Sequence, residues 1–193
     1  MAKTILVVGG ARSGKSDYAQ TLAEGGGAAL FYLATCPSPR STEGQDGSVV
    51  SEDPEMSARV KAHQQRRQAT LWQTIEEPLS LSSALQSAPE QATVLIDCLT
   101  LWISNLLFAH RLRVFGEAQI TALAVELLTT ANGRRGQTIM VSSEVGSGIV
   151  PDHPLSRAYR DLVGRCNQVV AAGAEQVIQV VCGLPIILKG EKP

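Results

Sequence analysis

Aromatic residues make up only 4% of this 193-residue chain. So few rings do not furnish the stacking platform by which proteins hold single-stranded nucleic acid. An excess of positive charge is missing too: 17 Lys and Arg stand against 18 Asp and Glu, a net charge of −1. No broad basic surface exists for a polyanion, so nucleic acid is not expected as a partner. No apolar run reaches the roughly 18 residues that span a bilayer. The apolar stretch near the N-terminus is too short for a secretory signal, and a cytoplasmic location is expected. The four cysteines, Cys36, Cys98, Cys166 and Cys182, are scattered without a CxxC pair. They read as reduced thiols rather than a disulfide framework or zinc site.

What is present fits a folded, globular protein. Hydrophobic residues make up 44% and charged residues 18%, and the length suffices for one domain over 1–193 with a sizeable core. Short β-branched runs at Thr4–Val8, Leu30–Ala34, Thr93–Asp97, Thr138–Ser142 and Val177–Cys182 read as buried strands, with Ile186–Leu188 a short edge strand. Helical character marks Lys15 to about Glu24, Pro54 to about Gln68, Leu99–His110, Glu117–Asn132 and Leu155–Ala174. Strands alternating with helices predict an α/β fold with a mostly parallel central sheet flanked by helices. The polar, Ser- and Gly-rich stretch from Pro37 to Asp53 reads either as a surface insertion or as a lid over a ligand.

The sharpest local signal is Gly9-Gly10-Ala11-Arg12-Ser13-Gly14-Lys15-Ser16, which fits G-x-x-x-x-G-K-[ST] between a strand and a helix. Glycines allow backbone N–H groups to turn inward around phosphate oxygens, and the following helix adds its positive end. Lys15 is expected on the β- and γ-phosphates and Ser16 on Mg²⁺. Asp97, an acid at the carboxyl end of a buried strand, is expected as the second magnesium ligand; its alternative role is to cap the helix that follows.

Other groups leave alternatives open. Arg59, His63, Arg66 and Arg67 share one helical face, either as a solvated basic surface or as a histidine nucleophile among polyphosphate-binding arginines. Glu76 and Glu77 are either surface charges or acceptors for a guanine or ribose. The segment Ser143–Pro151 is either a strand-to-helix turn or a substrate-facing loop. Arg157, Arg160 and Asp161 either form ion pairs or contact phosphate or another subunit. The apolar helix Leu99–Leu107 is core or interface, with Trp102 the side chain to seek near an interface. His110 and His153 show no partner pattern.

The blocks GGARSGKS (9–16), YLAT (32–35), DPEMSARVKAHQQRR (53–67), WQTIEEP (72–78), DCLTLWISNLL (97–107), SEVGSGIVP (143–151), YRDLVGRCNQ (159–168) and VVCGLPIILK (180–189) occur in that order. Together they resemble the bifunctional adenosylcobinamide kinase/adenosylcobinamide-phosphate guanylyltransferase family of cobalamin biosynthesis, over nearly the whole chain. The resemblance implies a P-loop NTPase-like fold and two reactions. ATP or GTP phosphorylates the hydroxyl of the aminopropanol arm of adenosylcobinamide. GTP then gives GMP to a histidine, releasing pyrophosphate, and adenosylcobinamide phosphate takes the GMP to give adenosylcobinamide-GDP. The matching segment makes His63 the nucleophile. It also places residues 9–16, Ala34, Thr35, Cys36, Gln64, Gln65, Arg66, Arg67, Glu76 and Asp97 around the nucleotide, and implies a homotrimer. This chain departs in a longer 36–53 loop, in Ser143 where members often carry Asn, and in Ala62 where some have a second histidine.

Overall fold

Aliphatic runs too short for helices and bounded by turn residues form the strands, and longer segments with apolar residues three and four apart form the helices. The structure is a computed structural model describing residues 4–36, 72–109 and 115–191. Along the chain come β1 (Thr4–Gly9), α1 (Lys15–Glu24), β2 (Leu30–Ala34), β3 (Trp72–Glu76), α2 (Leu81–Ser87), β4 (Thr93–Asp97) and α3 (Leu99–Ala109). There follow α4 (Glu117–Gly133), β5 (Thr138–Ser143), α5 (Pro154–Gly173), β6 (Gln176–Val181) and β7 (Leu184–Lys189).

The strands make one seven-stranded sheet in the order β3-β2-β4-β5-β1-β6-β7. Every pairing is parallel except β6 with β7, which is an antiparallel hairpin. Side chains alternate across β1: Ile5 and Val7 join Ile139, Val141 and Ile178 under α1. Leu6 and Val8 face the other side, where Ile96, Trp102, Leu127, Met140 and Val163 pack beneath α2 to α5. Each such fully buried aliphatic side chain contributes about 1.5–3 kcal/mol. The α/β, mostly parallel, P-loop NTPase-like architecture expected from the sequence is the one observed.

Two elements were not expected. β3 is a parallel edge strand whose Gln73, Thr74 and Glu76 are exposed, so it lacks the apolar signature of a buried strand. α2 is a short Ser-rich helix that buries only Leu81, Ala84 and Leu85, too few turns to show a period. The hairpin strand β7 is longer than the expected Ile186–Leu188, and Cys182 ends outside β6 in the turn, with φ 52 beside Gly183 at φ 81. The helix expected over Pro54–Gln68 and the Pro37–Asp53 loop lie outside the described residues, as does His110.

One buried cation fastens the end of the sheet away from the site. Arg134, 7% exposed, donates to the carbonyls of Leu85, Ala88, Pro89 and Ala92 at 2.8–3.2 Å. Desolvation lowers its pKa, opposed by the charge of Glu90.

Candidate functional site

The chain leaves β1 at Gly9, where only hydrogen fits: a Cβ would stand 2.5 Å from Ser13 Oγ and 2.6 Å from the Val180 carbonyl oxygen. The loop then turns through left-handed backbone at Arg12 (φ 55) and Gly14 (φ 89). Successive left- and right-handed residues point N–H groups into one concavity, the geometry of an anion nest. Ser13 N–H donates to Gly10 O at 3.3 Å, and Tyr18 N–H donates to Gly14 O at 2.9 Å as α1 begins. Lys15 reaches back over the loop, its Nζ 3.2 Å from Gly10 O. The hairpin tip braces the loop from outside, Gly183 N–H donating to Ser13 O at 2.8 Å. Ser13 Oγ is buried without a protein hydrogen-bond partner, which suits a cradle whose remaining donors serve a phosphate.

Strand register lays out the rest along the carboxyl edge of the sheet. Glu76 pairs with Ala34, Ala34 with Asp97, and Gly9 with Ser143. β5 lies between β1 and β4, so its exit loop emerges between the phosphate loop and Asp97. Ligands of open α/β sheets collect along this edge.

Asp97 is not a helix cap. Cys98 holds that position, its carbonyl accepting from Trp102 N–H at 3.1 Å. The Asp97 carboxylate instead accepts a hydrogen bond from Tyr32 Oη at 3.1 Å. Thr35 Oγ1 clamps the next residue, accepting from Cys98 N–H at 2.8 Å and donating to Cys98 O at 3.0 Å. Asn105 closes this layer by donating to Thr35 O at 2.8 Å and Pro78 O at 3.1 Å. The Asp97–Cys98 peptide bond is cis. Burial of its sulfur and the charge of Asp97 push the Cys98 thiol up to about 11, so it remains protonated at neutral pH. The Cys36 thiol is raised in the same sense by burial and by Glu76.

The two glutamates after β3 differ. Glu77 is occupied by the turn into α2, accepting from Leu79 N–H and Ser80 N–H at 2.8 Å each. Glu76 is exposed at the sheet edge.

Beyond β5, Glu144 N–H donates to Gly9 O at 3.0 Å, tying the exit loop to the start of the phosphate loop. Thr100 Oγ1 accepts from Ser143 N–H at 2.7 Å, and Asn167 Nδ2 donates to Ser143 O at 3.1 Å. Arg157 holds the far end of this loop through the carbonyls of Pro151 and Asp152, at 3.0 and 2.6 Å. His153 caps α5, its Nδ1 accepting from Leu155 N–H at 3.2 Å.

The residues expected at the site therefore separate into two sets. The phosphate loop, Ala34, Thr35, Cys36, Glu76 and Asp97 share one sheet edge. His63, Gln64, Gln65, Arg66 and Arg67 lie outside the described residues. Trp102 falls on the core side of the core-or-interface alternative: it is 2% exposed within this chain and donates to Leu79 O at 2.7 Å. Tyr32 and Asn105 were not expected at the site. Their signal was a phenol in a buried strand and an amide in an apolar helix, each of which must find a hydrogen-bond partner. Among the described residues no group of three or more His, Cys, Asp or Glu could hold a metal ion. A hard cation beside a bound phosphate would need fewer protein ligands, and Ser16 and Asp97 carry oxygen donors of the kind Mg²⁺ prefers. No helix among the described residues is long and apolar enough to cross a membrane.

Residues 5–188 match the CobU family, cobinamide kinase / cobinamide phosphate guanyltransferase. The bifunctional adenosylcobalamin biosynthesis protein CobP of Pseudomonas aeruginosa is 42% identical over 188 residues, 96% of this chain and 97% of its own. The bifunctional adenosylcobalamin biosynthesis protein CobU of Salmonella typhimurium is 36% identical over 199 residues, 96% of this chain and 99% of its own. Among solved structures, one from a structural study of PH0250 of Pyrococcus horikoshii OT3 superposes with a TM-score of 0.55 at 7% identity, covering 98% of this chain and 87% of that one. At that identity the likeness concerns fold alone. With the family matched along almost its whole length and two close relatives covering nearly all of it, this chain belongs to the cobinamide kinase / cobinamide phosphate guanyltransferase family.

Proposed function

We propose that this chain, a single domain, phosphorylates adenosylcobinamide with ATP or GTP and then transfers GMP from GTP to the phosphate so formed. The products of the second step are adenosylcobinamide-GDP and pyrophosphate. The observation that carries this reading is a phosphate cradle and an acid on one sheet edge, Gly9–Ser16 and Asp97, within a chain that matches a two-reaction family over residues 5–188. In the first step the loop N–H groups and Lys15 hold the triphosphate while the acceptor hydroxyl attacks the γ-phosphorus. In the second, the leaving pyrophosphate occupies the same cradle.

The GMP passes through His63. A neutral imidazole nitrogen attacks the α-phosphorus of GTP, the bond to the bridging oxygen breaks, and pyrophosphate leaves in line. The resulting phosphoramidate is then attacked by a phosphate oxygen of the acceptor, and the imidazole is released. Support for His63 comes from its place in DPEMSARVKAHQQRR, with Arg59, Arg66 and Arg67 at helical spacing to neutralise phosphate charge. Ser16 and Asp97 would hold Mg²⁺, which supplies charge neutralisation on the phosphates. Ala34, Thr35, Cys36, Gln64, Gln65 and Glu76 complete the nucleotide site in this reading. The homotrimer and the cytoplasmic location rest on the family resemblance and on composition.

Incubation with α-labelled GTP in the absence of acceptor tests the reading. It predicts label on the protein, labile to acid and stable to alkali as a phosphoramidate is, with one pyrophosphate released per label. Cobinamide phosphorylation without any protein label would leave a kinase only.

A further inference from the structure

A groove of about 660 Å³ opens where the exit loop of β5 faces α5 and the start of α4. Both helices begin at the carboxyl edge: their far ends meet the amino edge, where Asn132 accepts from Thr4 Oγ1 and donates to Gly173 O. α5 reaches past α4 at this end, since Arg165, well along α5, meets Glu117 and Thr121 in the first turns of α4. The groove thus begins one loop away from the phosphate cradle, to which that loop is tied through Glu144 N–H and Gly9 O at 3.0 Å.

Its walls are bare in an unusual way. Gly164 sits inside α5, where glycine costs about 1 kcal/mol relative to alanine. Yet a Cβ there would meet nothing within 4 Å, so no neighbour in the fold requires the glycine. Gly148, which lines the groove from the β5 exit loop, also has nothing within 4 Å of an added Cβ and has no left-handed φ that would demand glycine. Two glycines lining one groove, each with open space where a side chain would stand, leave room for a rigid body to lie close against the backbone.

The charge of the groove says which body. Arg160 and Arg165 line it together with Asp161 and Glu117, so its formal charges cancel. Arg165 is held by Glu117 at 3.4 Å and Thr121 at 3.0 Å. Arg160, its side chain 22% exposed, meets Asp161 Oδ1 only at 3.4 Å. A balanced groove of guanidinium, carboxylate and the Gln168 amide, with apolar Phe115 and Val150, is a poor phosphate site. It suits a large ligand whose bulk carries no anionic group, with apolar faces and a rim of carboxamides, each able to donate and accept.

We propose that this groove seats the carboxamide-rimmed edge of the corrin macrocycle of the acceptor in both reactions, while the aminopropanol arm extends past Glu144 to the phosphate cradle. The proposal deepens the two-reaction reading above and rests on it.

Equilibrium dialysis with cobinamide tests it on the full chain, using Gly164→Phe in α5 and Gly148→Phe in the exit loop of β5. Gly148→Phe lies on an exposed loop, which guards against a failure of Gly164→Phe to fold. Both variants should bind cobinamide at least about tenfold more weakly, with a matching rise in the acceptor KM of the kinase reaction. Affinity for a GTP analogue should stay within about twofold. Unchanged cobinamide affinity in both folded variants overturns the groove. So does a variant whose sedimentation coefficient shifts while cobinamide still binds normally, because the groove then receives a second copy of the chain. Neither result touches the two-reaction reading as long as the wild type still acquires GMP label and forms product. A wild type that makes neither label nor product removes that reading and the groove with it.

Discussion

The phenol of Tyr32 donates to Oδ2 of Asp97 across 3.1 Å, linking β2 to the acid that ends β4. Behind it the Tyr32 ring stands edge-on to Trp72, centroids 6.2 Å apart and planes at 85°. Trp72 Nε1 in turn donates to Glu24 at 3.0 Å, at the end of the helix that begins with Lys15. The helix of the phosphate loop and the edge acid are therefore joined by two aromatic side chains on neighbouring strands. An aromatic pair of this kind contributes about 0.5–1.5 kcal/mol beyond its buried area.

Tyr32→Phe keeps the ring and deletes the donor. The Asp97 carboxylate then loses its orientation, at a cost of about 1 kcal/mol. Both activities should fall by about threefold to tenfold, and half-maximal rate should require more Mg²⁺. Asp97→Asn, which removes the proposed anionic ligand itself, should cost far more. A magnesium titration decides: if Tyr32→Phe tracks the wild-type curve, the hydrogen bond has no role in holding the metal ligand.

Lys15→Ala should depress both reactions by at least about tenfold, because each needs the same charge-neutralised polyphosphate. Separate assays of cobinamide phosphate and cobinamide-GDP check this. Loss of one activity with the other untouched would mean that the two reactions do not share the cradle.

Much of this was legible in the sequence, and the reasons are physical. The buried strands carry uninterrupted aliphatic runs because helices cover both faces, so Thr93–Asp97 and Leu30–Ala34 are found with their bounds intact. The phosphate loop is legible because its glycines answer backbone demands at fixed spacing, as the close approach at Gly9 shows. β3 was hidden because an edge strand with Gln73, Thr74 and Glu76 exposed has no apolar period. The Tyr32–Asp97 and Thr35–Cys98 contacts were hidden because they join residues more than 60 positions apart, with separations of 65 and 63, and only sheet register brings them together. The groove was hidden for a similar reason: Gly148 and Gly164 come to line one groove only once α5 folds back on the exit loop of β5.

The buried guanidinium gives a test of stability separate from activity. Arg134→Met strips donors from the carbonyls of Leu85, Ala88, Pro89 and Ala92. Unfolding free energy should drop by about 3 kcal/mol, as expected when a buried, charge-assisted network is broken. Urea denaturation measures it, and a loss under about 0.5 kcal/mol would show that water replaces the guanidinium without penalty.

Thiol chemistry follows burial. Cys182 is exposed in the hairpin turn, while Cys166 is fully buried and its thiol is pushed up to about 12. An alkylating reagent at pH 8 should modify Cys182 and spare Cys166 until denaturant is added, as peptide mass spectrometry will show. The raised folded-state value has a further consequence. From an unfolded value of 9.0, it favours the fold below pH 9, and this contribution disappears as pH climbs from 9 to about 12. Melting temperature should accordingly decline over that window, and less steeply in Cys166→Ala measured against its own neutral-pH value.

GMP is proposed to travel through His63. Alanine there has no nucleophile, whereas cobinamide phosphorylation needs no imidazole adduct. The direct measurement is gel autoradiography of wild-type and folded His63→Ala protein with α-labelled GTP, followed by a chase with unlabelled adenosylcobinamide phosphate. The wild type should take up label and surrender it to adenosylcobinamide-GDP. His63→Ala should take up none while keeping some kinase activity. Label on folded His63→Ala at the wild-type rate would contradict the account and assign the intermediate to another residue.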